Sequence, residues 1–264
     1  MDALQLRKYL SIFLLLVLIP LTAIYAQRPG NFKITHYNLG NGLATNKIHH
    51  AAQDSLHRMW FATGYGVSIY DGFNWENINL LDNQNHSGFK KIIIDGLNQK
   101  WLFPLICTHR FKVNRGDGWA DEKISLGSPV EAELITDAAV KVTGGNTMVV
   151  VTTEKSLFVS FNGKWSELNT GEQTFFAVES AGDMFYLAGS AGLSRLSFSK
   201  TGAVTITHQV FGITSTLLAL KQIASPPAVP RLLVLATGWI GEITDGNLKK
   251  FDVEVKVDAS RTQH

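Results

Sequence analysis

The side chains best suited to metal or acid–base chemistry lie close together. His49, His50, Asp54 and His57 fall within nine residues, and imidazoles near a carboxylate are what a divalent metal would need. A strand, however, sends His49 and His50 to opposite faces, so both cannot reach one ion. Cys107 is the only cysteine. It can form no intrachain disulfide, and His109 two residues away along a strand is no evidence of a thiolate–imidazole pair. The thiol is expected to be a small buried side chain. Glycoside cleavage would need two placed carboxyl groups, and Glu76, Glu131, Glu133 and Glu172 show no such spacing. The "GNG" at 40–42 precedes no helical pattern, so it reads as a turn rather than a phosphate loop. Asn85-His86-Ser87 matches a glycosylation acceptor, a short pattern of little weight. The expectation is therefore no catalytic residue, no metal and no cofactor.

The chain has 264 residues, 45% hydrophobic and 17% charged, with a formal net charge of +2. It carries no clustered basic face, which argues against nucleic acid as a partner. Residues 1–26 have the layout of a secretory leader: Arg7 and Lys8, an apolar run from Leu10 to Ile24, then Ala26 as the cut site. A membrane anchor over residues 8–25 is the alternative, but the run is short for a span of about 20 residues and contains Pro20. Either way the remainder is expected outside the cytoplasm, in the periplasm or beyond. With one cysteine, it must be stable from its core alone.

One stretch recurs along the chain. "ATGYGVSIYDG" at 62–72 aligns without a gap on "ATGWIGEITDG" at 236–246. Degraded copies begin near Trp101, end at Trp165 and begin at Tyr186. The leading positions, Trp60, Trp101, Val151, Tyr186 and about Val234, step by 41, 50, 35 and 48 residues. A period of roughly 40–45 residues is the span of one four-stranded propeller blade. The runs "IHHAAQD", "KIIIDG", "AVKVTG" and "FFAVESAG" fit buried inner strands ending at tight turns. Asp71-Gly72, Asn162-Gly163 and Asp245-Gly246 supply the positive φ of hairpins. The expected fold is all-β: a β-propeller of four-stranded blades over residues 27–258, about five of them visible, with the ring incomplete or five-bladed, and a tail at 259–264.

Residues 36–75 resemble the two-component regulator propeller repeat. The resemblance rests on Gly42-Leu43, Asn46, Gln53-Asp54, Trp60-Phe61-Ala62-Thr63, Gly66-Val67 and Tyr70-Asp71-Gly72. It weakens in later units, where the tryptophan and the Gly-Leu start are lost. In that family the propeller is typically the periplasmic sensor region of a histidine kinase, often a hybrid one, thought to bind polysaccharide fragments in rings of seven or more blades. The resemblance implies a non-enzymatic sensor with a carbohydrate or small-molecule ligand, and a histidine kinase, another sensor or a second copy of the chain as partner. A stand-alone propeller, a truncated product and the first part of a larger polypeptide all fit the five units seen. A propeller enzyme acting on polysaccharide and a purely protein-binding scaffold are the alternatives.

Blade geometry sorts the aromatics. Trp60 and Phe61 belong to a second strand and are expected to pack between blades. Tyr65 sits at the turn between second and third strands, on the face where blade links converge, and Trp239 is its counterpart. The second unit has extra residues, Pro104 to Thr108, at this turn, with His109 next to them. Aromatic rings at a ring mouth suit stacking on sugars, so Tyr65, Trp239 and His109 are the candidate ligand contacts.

Overall fold

A computed structural model describes residues 34–82, 87–107, 110–126, 132–223, 231–244 and 247–251. The leader, the tail, Asn85, His109, Glu131 and the Asp245-Gly246 turn lie outside these residues. From Asn38 onward the chain forms one compact unit of five antiparallel blades. Blade 1 holds β1 (Ile48–Gln53), β2 (Met59–Thr63), β3 (Gly66–Tyr70) and β4 (Trp75–Asn79). Blade 2 holds β5 (Phe89–Ile94), β6 (Lys100–Pro104), β8 (Arg110–Asn114) and β9 (Trp119–Lys123), with the short β7 (Ile106–Cys107) between β6 and β8. Blade 3 is β10 (Glu133–Thr143), β11 (Asn146–Thr153), β12 (Leu157–Phe161) and β13 (Lys164–Leu168). Blade 4 is β14 (Phe175–Ala181), β15 (Met184–Gly189), β16 (Gly192–Phe198) and β17 (Val204–Thr207). Blade 5 is β18 (Leu217–Ile223), β19 (Arg231–Ala236), β20 (Trp239–Thr244) and β21 (Asn247–Phe251). The expected all-β propeller architecture is what forms.

β-Branched and aromatic residues fill the second and third strands of each blade, as in "TMVVVTT" of β11, because they suit a pleated surface buried on both sides. Asn162 and Gly163, with φ of 51° and 81°, make the tight β12–β13 hairpin that their sequence promised.

Every inner strand carries an irregularity at one place in its pairing with the second strand. It falls between Ile48 and His50, Phe89 and Lys91, Ile135 and Asp137, Phe175 and Ala177, and Leu217 and Ala219. One residue is extra each time, the signature of a β-bulge. Aligned on this bulge, the counterparts of Trp60 are Trp101, Val150, Tyr186 and Leu233. The sequence repeat had placed Val151 and Val234 there. Each is one residue out of register, and in a strand one residue is the opposite face.

Four apolar cores join neighbouring blades. Trp60, Ala62 and Val67 meet Ile92 and Leu102 across the first seam. Trp101, Phe103 and Phe111 meet Val149, Val151 and Phe158 across the second. Val150 and Val159 meet Phe185 and Leu187 across the third, and Ala188 and Leu193 meet Leu232 and Val234 across the fourth. Each fully buried Leu, Val or Phe contributes about 1.5–3 kcal/mol, so these seams stand in for the absent disulfides. Among the described residues no such core joins blade 5 to blade 1, and β18 and β1 show no comparable packing.

β7 pairs not within its own blade but with β10 of blade 3, matching Cys107 to Glu133 and Ile106 to Leu134. Leu105 completes the crossing: it donates to Gly88 O at 3.0 Å and accepts from Ile135 at 2.9 Å. The extra residues of the second unit thus bridge two blades.

Candidate functional site

The five inner strands surround one cavity of about 410 Å³. It is lined by residues 50–53 of β1, 91–94 of β5, 138–140 of β10, 179–180 of β14 and Lys221 of β18. Its volume lies in the usual range for small-molecule sites, roughly 300–1,000 Å³. The bulge decides which polar side chains arrive there. The position just after it holds His50 and Lys91, which line the cavity in blades 1 and 2, and in blade 3 Asp137, the partner of Lys91; the position two further on holds Glu179 and Lys221 in blades 4 and 5.

These groups are paired across the seams. Lys91 Nζ lies 2.6 Å from Asp137 Oδ1, with 10% and 16% of the two side chains exposed. Asp137 also accepts from its neighbour Ala138 N–H and, in blade 4, from Val178 N–H, both at 2.9 Å. Glu179 accepts from Gln222 N–H at 3.2 Å and from Lys221 Nζ at 3.3 Å. The two carboxylates are thus held by the backbone of the next strand as well as by a lysine. Each lysine has three donors and keeps some for a ligand. His50 Nδ1 is buried without a hydrogen-bond partner. Burial, then Lys91 and Lys221, push its pKa down to about 4, against the opposite pull of Asp137 and a backbone bond to Ile92. It is a neutral imidazole at pH 7. The cavity therefore offers closely spaced donors and acceptors with its charges balanced, beside the apolar surface of Ala52, Ile93 and Ala139.

Of the ligand contacts expected from sequence, His109 lies outside the described residues, and Tyr65 and Trp239 do not line this cavity. Tyr65 lies at the β2–β3 turn, 44% exposed, with its N–H on Thr63 Oγ1, and it does not line the cavity. Trp239 is not in the equivalent turn but opens β20, opposite Ala236. It packs on the core of the fourth seam, and Lys250 Nζ stands 4.7 Å from its ring centroid. The two aromatics share a place in the repeat but not a setting. Asp54 has a structural task, accepting from Trp60 Nε1, Arg58 and the Leu56 N–H. Glu133 is tied to Thr153 and Ser156. No group of three His, Cys, Asp or Glu able to hold a metal occurs among the described residues. Lys91, Asp137, Glu179 and Lys221 went unnoticed in the sequence. The signal was partial: Glu179 and Lys221 are each the one charge of their strand, whereas Lys91 follows Lys90 and Asp137 shares β10 with Glu133 and Lys141.

Bladed sheets ranged about an axial cavity define a β-propeller. No protein-family model matches the chain, and none of the curated proteins does. Solved structures share the fold. Virginiamycin B lyase from Staphylococcus aureus superposes with a TM-score of 0.63 at 13% identity, over 86% of this chain and 76% of that one. A streptogramin B lyase gives 0.59 at 15% identity, over 82% and 72%. The extracellular domain assigned to a hybrid two-component system of B. thetaiotaomicron gives 0.53 at 13% identity, over 79% of this chain but 28% of that longer one. No helix among the described residues is long and apolar enough to cross a membrane.

Proposed function

We propose that the chain is an extracytoplasmic, non-enzymatic binding propeller that takes a small polyhydroxylated ligand, such as a glycan fragment, in its axial cavity and reports occupancy to a two-component signalling partner. The observation that carries this reading is the cavity reached by all five inner strands, whose lysine–carboxylate pairs set donors beside acceptors without net charge. Adjacent hydroxyls of a sugar both donate and accept at that spacing, and the apolar wall suits the ring's C–H face. The leader-like residues 1–26, the repeat signature of the first blade and the fold likeness to a two-component extracellular domain support the location and the partner. A ligand touching strands of every blade would bias the spacing between blades, and such a shift is a state a partner can read.

Titration calorimetry with neutral and acidic oligosaccharides tests the reading. Binding that is weakened by Lys221→Ala and His50→Ala together, and kept by Tyr65→Ala, supports the cavity. Binding lost with Tyr65→Ala alone moves the site to the turn face. No heat with any member of the panel sinks the glycan reading.

A second reading, a propeller enzyme, is favoured by one observation: the neutral His50 has an unpartnered Nδ1 within the cavity, and two fold neighbours are lyases. Turnover of a polysaccharide or of a streptogramin B by the purified chain, abolished by His50→Ala, would establish it.

A further inference from the structure

A second cleft, of about 360 Å³, lies in the seam between blades 2 and 3. No residue lines both it and the axial cavity. It opens among the β5–β6, β8–β9, β10–β11 and β12–β13 turns, at the end of the blades opposite Tyr65. The first seam shows why the space exists. There two cations cover the Trp60 indole. Arg58, from the aspartate-centred turn of the same blade, has Cζ 5.4 Å from the ring centroid, and Lys100, from the next blade, has Nζ at 5.2 Å. In the second seam the equivalent of Arg58 is Gln99, and the equivalent of Lys100 is Val149. Both are shorter and uncharged. The turns differ as well. Asn98 accepts from the Ser55 N–H across the first seam, whereas blade 3 has the short Gly144-Gly145 turn at that place. The side chains that fill the first seam are thus replaced by smaller ones in the second.

The cleft has aromatic walls and a polar rim. Trp101 and Phe111, stacked with centroids 6.0 Å apart, form its floor, and half-buried Trp165 meets Phe111 edge-on at 5.8 Å. Arg115 leans over Trp101, with Cζ 5.7 Å from the ring, and donates to Glu122 at 2.8 Å. The two side chains are 44% and 38% exposed, and the guanidinium has several more donors. We propose that this cleft is a second binding site and that it takes the ring of a neutral sugar. A sugar ring has an apolar C–H face that suits an indole, and hydroxyls at its edge that both donate and accept. Trp165 supplies the first contact, and Arg115, Glu122 and Gln99 supply the second. A cationic ligand would be repelled by Arg115 and an anionic one by Glu122. A flat apolar ligand would take water from both charges and return no hydrogen bond. The site stands independently of the axial cavity, since its residues, its walls and its opening are separate.

Titration calorimetry with the neutral disaccharides cellobiose, maltose and lactose tests this. At least one should bind the wild type, and it should still bind the axial Lys221→Ala, His50→Ala double variant. Arg115→Ala and Trp165→Ala should each weaken that binding more than about tenfold. Thr147→Trp puts bulk into the cleft while leaving both residues in place, and it should do the same. Near-ultraviolet circular dichroism checks folding. If Trp165→Ala does not fold, the exposed Arg115 and the half-buried Thr147 carry the test. No heat from any of the three sugars overturns the proposal. So does unchanged affinity in Arg115→Ala and Thr147→Trp. Loss of all binding in the axial double variant also overturns it, and assigns the sugar to the axial cavity instead. Binding of tetramethylammonium but of no sugar overturns the ligand class.

Discussion

The indole nitrogen of Trp60 donates to Asp54 Oδ2 at 2.9 Å, and 41 residues later Trp101 makes the same bond to Asp95 at 2.8 Å. In both blades the other carboxylate oxygen accepts two backbone N–H groups of the turn, from Leu56 and Arg58 and from Leu97 and Gln99. His57 and Asn98 take the left-handed conformation at equivalent points, with φ of 63° and 61°. The aspartate thus closes the first turn of the blade onto its second strand.

Asp54→Ala should lower stability by about 3 kcal/mol, because a buried indole N–H and two backbone donors lose their acceptor. Asp54→Asn should cost less, since one side-chain oxygen remains. Burial raises the Asp54 pKa, but the bonds from Trp60, Arg58 and Leu56 outweigh it and hold the carboxyl below its ordinary 3.8. Its contribution is therefore present at neutral pH and lost as the pH falls through 3.8 and below. Urea unfolding at pH 7 and pH 3 measures both effects.

His50 acts in a higher window. Its pKa in the fold is about 4 against an ordinary 6.5, so between those values the unfolded chain binds the proton and the folded chain does not. Stability should fall as pH drops from 6.5 towards 4. His50→Gln should flatten that part of a melting-temperature profile. The remaining slope belongs in part to His49, which partial burial and then Lys47 and Lys90 also lower.

Lys91→Met should cost about 3 kcal/mol, the usual penalty for breaking a buried pair by removing one partner. Adding Asp137→Asn should recover part of the loss, because the amide can still accept from Val178 without burying an unpaired charge. A double-mutant cycle in denaturant reads the coupling directly.

Gly66 has φ of 149°, and a Cβ built there would lie 2.1 Å from Ile78 O. Gly66→Ala should cost more than about 3 kcal/mol or prevent folding. Gly72 is the control: its φ is 101° but open space surrounds it, so Gly72→Ala should cost about 1 kcal/mol. Thermal melts of the two variants side by side separate close approach from backbone preference.

The blades were legible in the sequence because tryptophan, Asp-Gly and Asn-Gly mark the same strands and turns in successive units. The signal faded after blade 2 for a structural reason. Blades 3 and 4 replace the aspartate-centred turn by the shorter Gly144-Gly145 and Gly182-Asp183 hairpins. Without the aspartate to receive an indole N–H, Val150 and Tyr186 take the tryptophan's place. The axial groups were harder to see. Lys91, Asp137, Glu179 and Lys221 lie far apart in sequence, and only the bulge, which leaves no residue signature, brings their layers into line. Trp239 falls at the place of Tyr65 in the ungapped repeat, yet one more residue of strand turns it onto the fourth seam.

The crossing of β7 has a mechanical consequence. A propeller is close to a row of units, each leaning only on its neighbours, so thermal opening can start wherever a seam is weakest. Here blades 2 and 3 are joined by chain as well as by side chains, since a strand of one is hydrogen-bonded into the sheet of the other. That pair cannot separate without breaking backbone bonds, so it is the keel of the molecule. Opening should therefore begin away from this pair, and amide protons of β6 and β10 should be among the slowest to exchange.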